Sequence, residues 1–463
     1  PPSAPSALPS ANVPRTDGPV QFTRTSRIPS AHSMAPISAS EVTEYLRAHN
    51  LEETIANAVN DAVVHRSSDP LSHIASYLLS LKSSAVSAGF GLGASSLVGA
   101  EAVAAAITAA AVDNPTFGII SCTVDQDPQL VTKAFAEALP GVPLHGVTSC
   151  GSILGAGSAE AGVACLLFHA PAAFASAYSA SPADAIALLK SQCASPAAIL
   201  MATVRGSEEE VVALLAEAFP GVGVWGGTAA DNALDGSWRV LSESGAFEAG
   251  VSLVGLVTGK VKLGASMLGP YTPTAKTARV TKAEGRKVFE IDGAPALEWV
   301  VGWLGEAVSK EAKEGGLVLP QTADKPICAK RGGQFIPAHL ASLHPDDKSI
   351  EFFIPMSVGE ELVVMDAGTG PSTGYASTLA AAYDVALAAG GLTAPKAGVL
   401  LFCGGMSIAV GDNLKAGLSD KTFCSKVAGL PLLGMTVFGE QAVMPLPVGN
   451  VHCNLSIGML LFE

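Results

Sequence analysis

One pattern occurs three times between Phe117 and Phe462, and an internal repeat fixes more about a fold than any single motif. The first copy starts with the strand-like run FGIISCTV (117–124), continues with the helix-like PQLVTKAFAEALPG, and ends in VPLHGVTSCGSILG. The second reads AAILMATV (197–204), EEEVVALLAEAFPG and VGVWGGTAADNALDG. The third reads AGVLLFCG (397–404), a helix ending in FCSKVAGL, and PLLGMTVFGEQAVMP. A further apolar run closes each copy: AGVACLLF (161–168), AGVSLVGL (249–256) and NLSIGMLLF (454–462). The unit is strand, helix, short strand, Gly/Thr turn, strand. Alternating strands and helices predict an α/β layered body with largely buried sheets.

When the turns are superposed, Gly146, Gly226 and Gly434 coincide, as do Thr148, Thr228 and Thr436. Glycine straight after a strand permits a sharp turn or a close backbone approach. Threonine two residues later can bond exposed turn amides. Ligands of open α/β sheets gather at strand ends, so three such turns can converge on one cleft. They can equally serve only to close each unit, and both readings stand at this point.

Composition narrows the class. Charged residues are 15% of the chain, against about a quarter in ordinary soluble domains, while 49% is hydrophobic and only 6% aromatic. Small apolar residues and 48 glycines therefore favour close-packed elements. The net charge of −14 and the absence of a basic block argue against nucleic acid or an anionic membrane as partner. The most apolar stretch, Val86 to Ala111, carries Glu101 and repeated Gly and Ser, so no membrane span is expected. Eight scattered cysteines without a C-x-x-C fit free thiols in a reducing compartment, with no metal site expected.

Residues 1–38 form a separate region with six prolines before Val20 and no apolar periodicity, expected to be a disordered leader. Its arginines and serines with a single acid also suit a transit peptide, so the expected location is cytoplasmic, with a plastid or other organelle as the alternative. In residues 40–83, Leu51, Ile55, Val59 and Val63 step by four and make one apolar helix stripe after a possible cap at Asn50. That helix should stop near Ser67. Asp69 then caps a second helix with Pro70 at its first position and Ile74, Tyr77 and Leu78 on its apolar face. His65 and His73 read as solvated. Two helices this short expose a face that self-association would cover, giving a four-helix homodimer. The pattern L-x-x-x-I-x-x-x-V followed by S-x-D-P-L-x-x-I-A-x-Y-L-L resembles the RII-type docking and dimerisation motif of protein kinase A regulatory subunits. That resemblance implies a groove for an amphipathic partner helix. The alternative is a cap packed on the chain's own body.

The turn GVTSCGSILG, then GGTAADNALDGSWRVLSESGAFEAGVSLVGL, then KTARVTKAEGRKVFEIDGAPALEWVVGWLG, resemble an N-terminal FIST domain, over about 90–310. GVLLFCGG and PLLGMTVFGEQAVMPLPVGNVHCNLSIGMLLF resemble a C-terminal FIST domain, over 311–463. FIST names domains of F-box and intracellular signal-transduction proteins. The resemblance implies a sensory domain that binds small ligands, with amino acids proposed, and some bacterial members carry haem. Where the family often has Arg after the strand-end cysteine, this chain has Gly404-Gly405-Met406, so a charged contact to an anionic ligand is missing there. Ala229-Ala230-Asp231 stands where A-G-D is usual.

Candidate site residues follow from the turns. Cys150, at the first turn tip, becomes a nucleophile only if His145 or a helix N-terminus lowers its pKa; otherwise it is a small buried residue. His145 aligns with Trp225 and Leu433, a set that reads as packing. Cys403 ends a central strand, and His452 stands at the entrance of the last one. Asp231, Asn232 and Glu440 occupy matching turn tips, where they can bind an amine, do acid–base work, or shape the turn. His339 and His344, in AHLASLHPDD, read as solvated loop residues. GFGLGASS (89–96) lacks the strand and acid of a dinucleotide fingerprint. The leading expectation is a non-enzymatic sensor or scaffold with no cofactor (haem being the alternative). Two other functions remain: an enzyme acting on a small amine or acyl substrate, and a structural subunit of an assembly.

Overall fold

A computed structural model describes residues 39–48, 51–64, 66, 69–75, 86–94, 96–150, 153–155, 158–160, 162–367, 371–411 and 413–463. The chain divides into two compact units between Lys82 and Ser83.

The first unit holds two helices, Ala39–Ala48 and Leu51–Val64. The first of these lies before the helix that periodicity finds. In the second, Ala58 and Ala62 are buried, while Ile55, Val59 and Val63 are 46%, 41% and 69% exposed. The step-of-four stripe thus faces outward. Arg66, with φ at 49°, turns the chain after this helix, slightly before the expected stop. Asp69 Oδ1 accepts the Ser72 amide at 3.2 Å, as a cap should, and residues 70–75 are helical. His73 is not simply solvated: its Nε2 lies 2.7 Å from Asp61 Oδ2. The leader 1–38, Asn50, His65, Ser67, Tyr77 and Leu78 lie outside the described residues.

In the second unit three six-stranded sheets share one order of connections. The first runs Ser87–Ala94, Gly162–His169, Phe117–Thr123, Leu144–Ser149, Val240–Ser242, Gly245–Phe247. The second runs Phe174–Ser179, Val251–Val257, Pro196–Thr203, Val224–Thr228, Glu440–Met444, Gly449–Cys453. The third runs Leu263–Leu268, Ile457–Phe462, Ala397–Cys403, Leu432–Val437, Ile153–Gly155, Ser158–Glu160. In each, the central strand pairs antiparallel with the closing strand and parallel with the strand that holds the Gly/Thr motif, whose glycine and threonine, expected in a turn, lie at the end of the strand itself. The last two places are taken by a hairpin that lies beyond another copy's turn. The first copy gives its hairpin to the third sheet, the third to the second, and the second to the first.

Packing explains why the strands read as continuous apolar runs. Inner faces of all three sheets meet in one core, with Ile119 and Phe168 from the first, Leu200 and Val254 from the second, and Leu401 and Phe462 from the third. Phe168 and Phe462 meet edge-on at 5.4 Å, a favoured aromatic geometry. Outer faces are covered by helices, among them Ala100–Ala110, Glu208–Ala218 and Pro371–Gly390. The GFGLGASS glycines belong to this contact. A Cβ on Gly89, Gly91 or Gly93 would run into the carbonyl oxygens of Ala110, Ala106 and Ala102. Alternate strand residues thus meet every fourth residue of an alanine helix, which sits directly on the backbone.

A nine-stranded sheet built from Thr272 to Asp366 carries its own core with the helix Ala296–Leu304. The expected domain boundary at 310/311 falls inside this region, and the exchanged hairpins interleave the two sequence halves. Among the described residues, no helix is long and apolar enough to cross a membrane.

Candidate functional site

The three turns meet through their backbones. The amide two residues past each threonine donates to the carbonyl of the next: Cys150 to Thr436 at 2.9 Å, Phe438 to Thr228 at 3.1 Å, and Ala230 to Thr148 at 2.9 Å. Thr148, Thr228 and Thr436 are fully buried in this ring. Their neighbours fall into two groups. Residues before the threonines line one small void, and residues after them line a large cavity.

The void, of about 20 Å³, is bordered by His145, Gly146, Trp225, Gly226 and Met435. Such a volume holds at most a water. A Cβ on Gly146 or Gly226 would collide with the carbonyl oxygens of Ile120 and Met201 on the neighbouring strand. These glycines bring strands together; the partner they approach is protein. His145 Nδ1 lies 2.9 Å from Ser252 Oγ, and burial pulls its pKa down to about 3.

The cavity, of about 440 Å³, gathers Cys150, Asp231, Asn232, Cys403 and His452 from the sequence-derived set. Thr148, Thr228, Thr436 and Glu440 do not line it, nor do His145, Gly146, Trp225 and Gly226, which border the small void. Leu317, Leu319, Phe353, Ile408 and Phe438 supply apolar surface.

The charged residues form a linked network. Glu208, in the first turn of its helix, is buried and accepts from the Gly206 amide at 2.6 Å and Thr228 Oγ1 at 3.2 Å. Arg286 Nη2 donates to Glu208 Oε2 at 2.9 Å and Glu209 Oε2 at 2.8 Å, and these acids keep its pKa raised against the effect of burial. His452 Nδ1 lies 2.8 Å from Glu209 Oε1. Burial pushes the Glu209 carboxyl up, but the hydrogen bond and charge of His452, with Arg286, hold it down at about 2. His452 Nε2 is buried without a hydrogen-bond partner. Glu208, Glu209 and His452 offer three ligand atoms within 4.8 Å of one another, the one group among the described residues able to hold a metal ion. Arg286 already supplies a cation between the two carboxylates.

Asp231 is fully buried and spends its oxygens on the loop after the second turn. It accepts amides of Ala233, Leu234, Gly236 and Ser237 at 2.5–3.2 Å. Glu440 is buried, with Oε2 accepting the Ser456 amide at 3.3 Å and Oε1 unpartnered. Burial raises its carboxyl well above the usual range, favouring the neutral acid. Burial likewise raises the Cys403 thiol. Burial and Asp231 push Cys150 up to about 11. A thiol reacts as its thiolate, so neither cysteine is an activated nucleophile here, and His145 sits in the other cavity.

Several cavity residues lie outside the sequence-derived set. Arg205 comes just after the second central strand, with its guanidinium 5.1 Å over the Phe353 ring. A charge directly after an apolar strand was the available signal. Arg286, His339, Phe353 and Gln321 come from the nine-stranded region or its connections, which carry no repeat. His339 corrects the loop expectation: it is buried, its Nε2 is 3.1 Å from Thr322 Oγ1, and burial lowers its pKa to about 4. His344 ends a strand, 3.1 Å from Ser342 Oγ.

This arrangement, a cavity behind interlocked Gly/Thr segments, lies partly within one recognised stretch. Residues 116–294 match the FIST N domain. FIST domains are sensory, small-ligand-binding domains of signal transduction. Over 102 residues the chain is also 37% identical to an uncharacterized protein of Methanocaldococcus jannaschii. That match covers 22% of this chain and 19% of the relative, so the chain spans about a fifth of the relative's length. The FIST N match takes in the first two turns, Arg205, Glu208, Asp231 and Arg286. Cys403, Phe438 and His452 reach the cavity from beyond it.

Proposed function

We propose that the chain is a non-enzymatic sensor whose FIST region binds a small molecule in the large cavity. One observation carries this reading: a cavity of about 440 Å³ at the meeting of the turns, mixing apolar walls with a few convergent polar groups. Raised thiols at Cys150 and Cys403 favour binding over covalent chemistry. A thermal-shift screen of metabolites tests it, because a ligand that binds only the folded state raises its melting temperature with concentration. A screen in which no compound shifts the transition counts against the reading.

We further propose that residues 40–83 dimerise the chain and dock an amphipathic helix, as an RII-type module would. The outward stripe of Ile55, Val59 and Val63 supports this. Light scattering on the full chain should give a dimer mass that falls to the monomer in an Ile55→Asp, Val59→Asp double variant. An unchanged mass would remove the proposal.

A further inference from the structure

We infer that the large cavity takes a small organic monoanion, a carboxylate on an apolar body, anchored by Arg205. The inference rests on reading the cavity as a ligand site and names its ligand class. Two arginines line it, and they differ in what they already hold. Arg286 is committed to Glu208 and Glu209. Arg205 makes no hydrogen bond or ion pair among the described residues, and only the Phe353 ring lies against it. A half-buried guanidinium of this kind presents a rigid fork of donors, which a carboxylate meets with two parallel bonds.

The other acids of the cavity are not available to Arg205. Asp231 accepts four backbone amides. Glu208 is held by Arg286, Gly206 and Thr228. Glu311 Oε1 accepts from Gln321 Nε2 at 3.1 Å. Only one arginine of the lining is left for an incoming anion, which suits a single carboxylate better than a doubly charged phosphate. Leu319, Phe353, Ile408 and Phe438 then cover an apolar body.

The test compares phenylacetate with its neutral amide, phenylacetamide, by thermal shift and calorimetry on the full chain. Phenylacetate should stabilise the wild type, and the amide should do so far less. Arg205→Gln should weaken phenylacetate binding about tenfold to a hundredfold, the loss of a charge-assisted hydrogen bond, with Arg205→Lys intermediate. Equal stabilisation by acid and amide, or an unaffected Arg205→Gln, overturns the anchor and leaves the cavity reading intact. Stabilisation by phenylacetate that persists when Ile408→Trp fills the cavity overturns the cavity reading itself. No shift with either compound at millimolar concentration overturns the proposed ligand class, and the wider screen then judges the cavity separately.

Discussion

The two cavities beside the turns differ by more than size. The void of about 20 Å³ is bordered by residues just before the threonines, on strands pressed against each other. The cavity of about 440 Å³ is bordered by residues just after them, where each turn leaves its sheet. One repeated motif therefore does two jobs along its length. Its glycine closes the sheets, its threonine carbonyl and the amide two residues on join the three copies, and the side chains past the threonine are bound by neither constraint. Cys150, Ala230 and Phe438 occupy equivalent places, yet share no chemistry.

Substitutions should break this division unequally. The largest effect is expected at Gly226→Ala, where the new Cβ meets the Met201 carbonyl and strands must separate. Overpacking against backbone should cost about 3 kcal/mol in denaturant unfolding. Ala233→Val, adding bulk on the large cavity instead, should change stability by under about 0.5 kcal/mol. Equal costs would erase the distinction.

Thr228→Val comes next. It keeps the shape but strips Glu208 Oε1 of a donor and Gln441 Nε2 of an acceptor. Leaving buried partners unsatisfied should cost about 1–3 kcal/mol, against almost nothing for Asn232→Ala on the exposed lip.

A third effect is absent at neutral pH and grows only on acidification. His145 titrates at about 3 when folded and near its ordinary 6.5 when unfolded. Between those values the unfolded chain binds the extra proton, so this residue's contribution to stability rises with pH and is lost on acidification. His145→Leu should flatten the stability curve between about pH 6.5 and 3, read from denaturant midpoints; an unchanged slope would place the titration elsewhere.

Much of the fold was legible because the repeat is written locally. Strand runs, helices and the Gly/Thr register come from periodicity, and Leu433 aligned with His145 and Trp225 marks packing without coordinates. The hairpin exchange was not legible, since pairing Ile153 with Met435 is a long-range choice that no local pattern records. Asp231 was visible as a turn residue or a binding group, and its four amides favour the turn. Arg205 stood in plain sight after MATV, but its importance depends on Phe353 and the absence of an acid partner, both tertiary facts. His339 was read as solvated because the link between Gln334–Ala338 and Leu340–His344 looks polar in sequence, while its burial comes from tertiary packing.

The central claim is that ligands enter the large cavity. Its most direct test is the melting shift produced by a stabilising metabolite in wild type and in Ile408→Trp, whose indole should occupy the cavity. The shift should vanish in the variant while the unliganded melting temperature stays close to wild type; a shift of undiminished size would contradict the account.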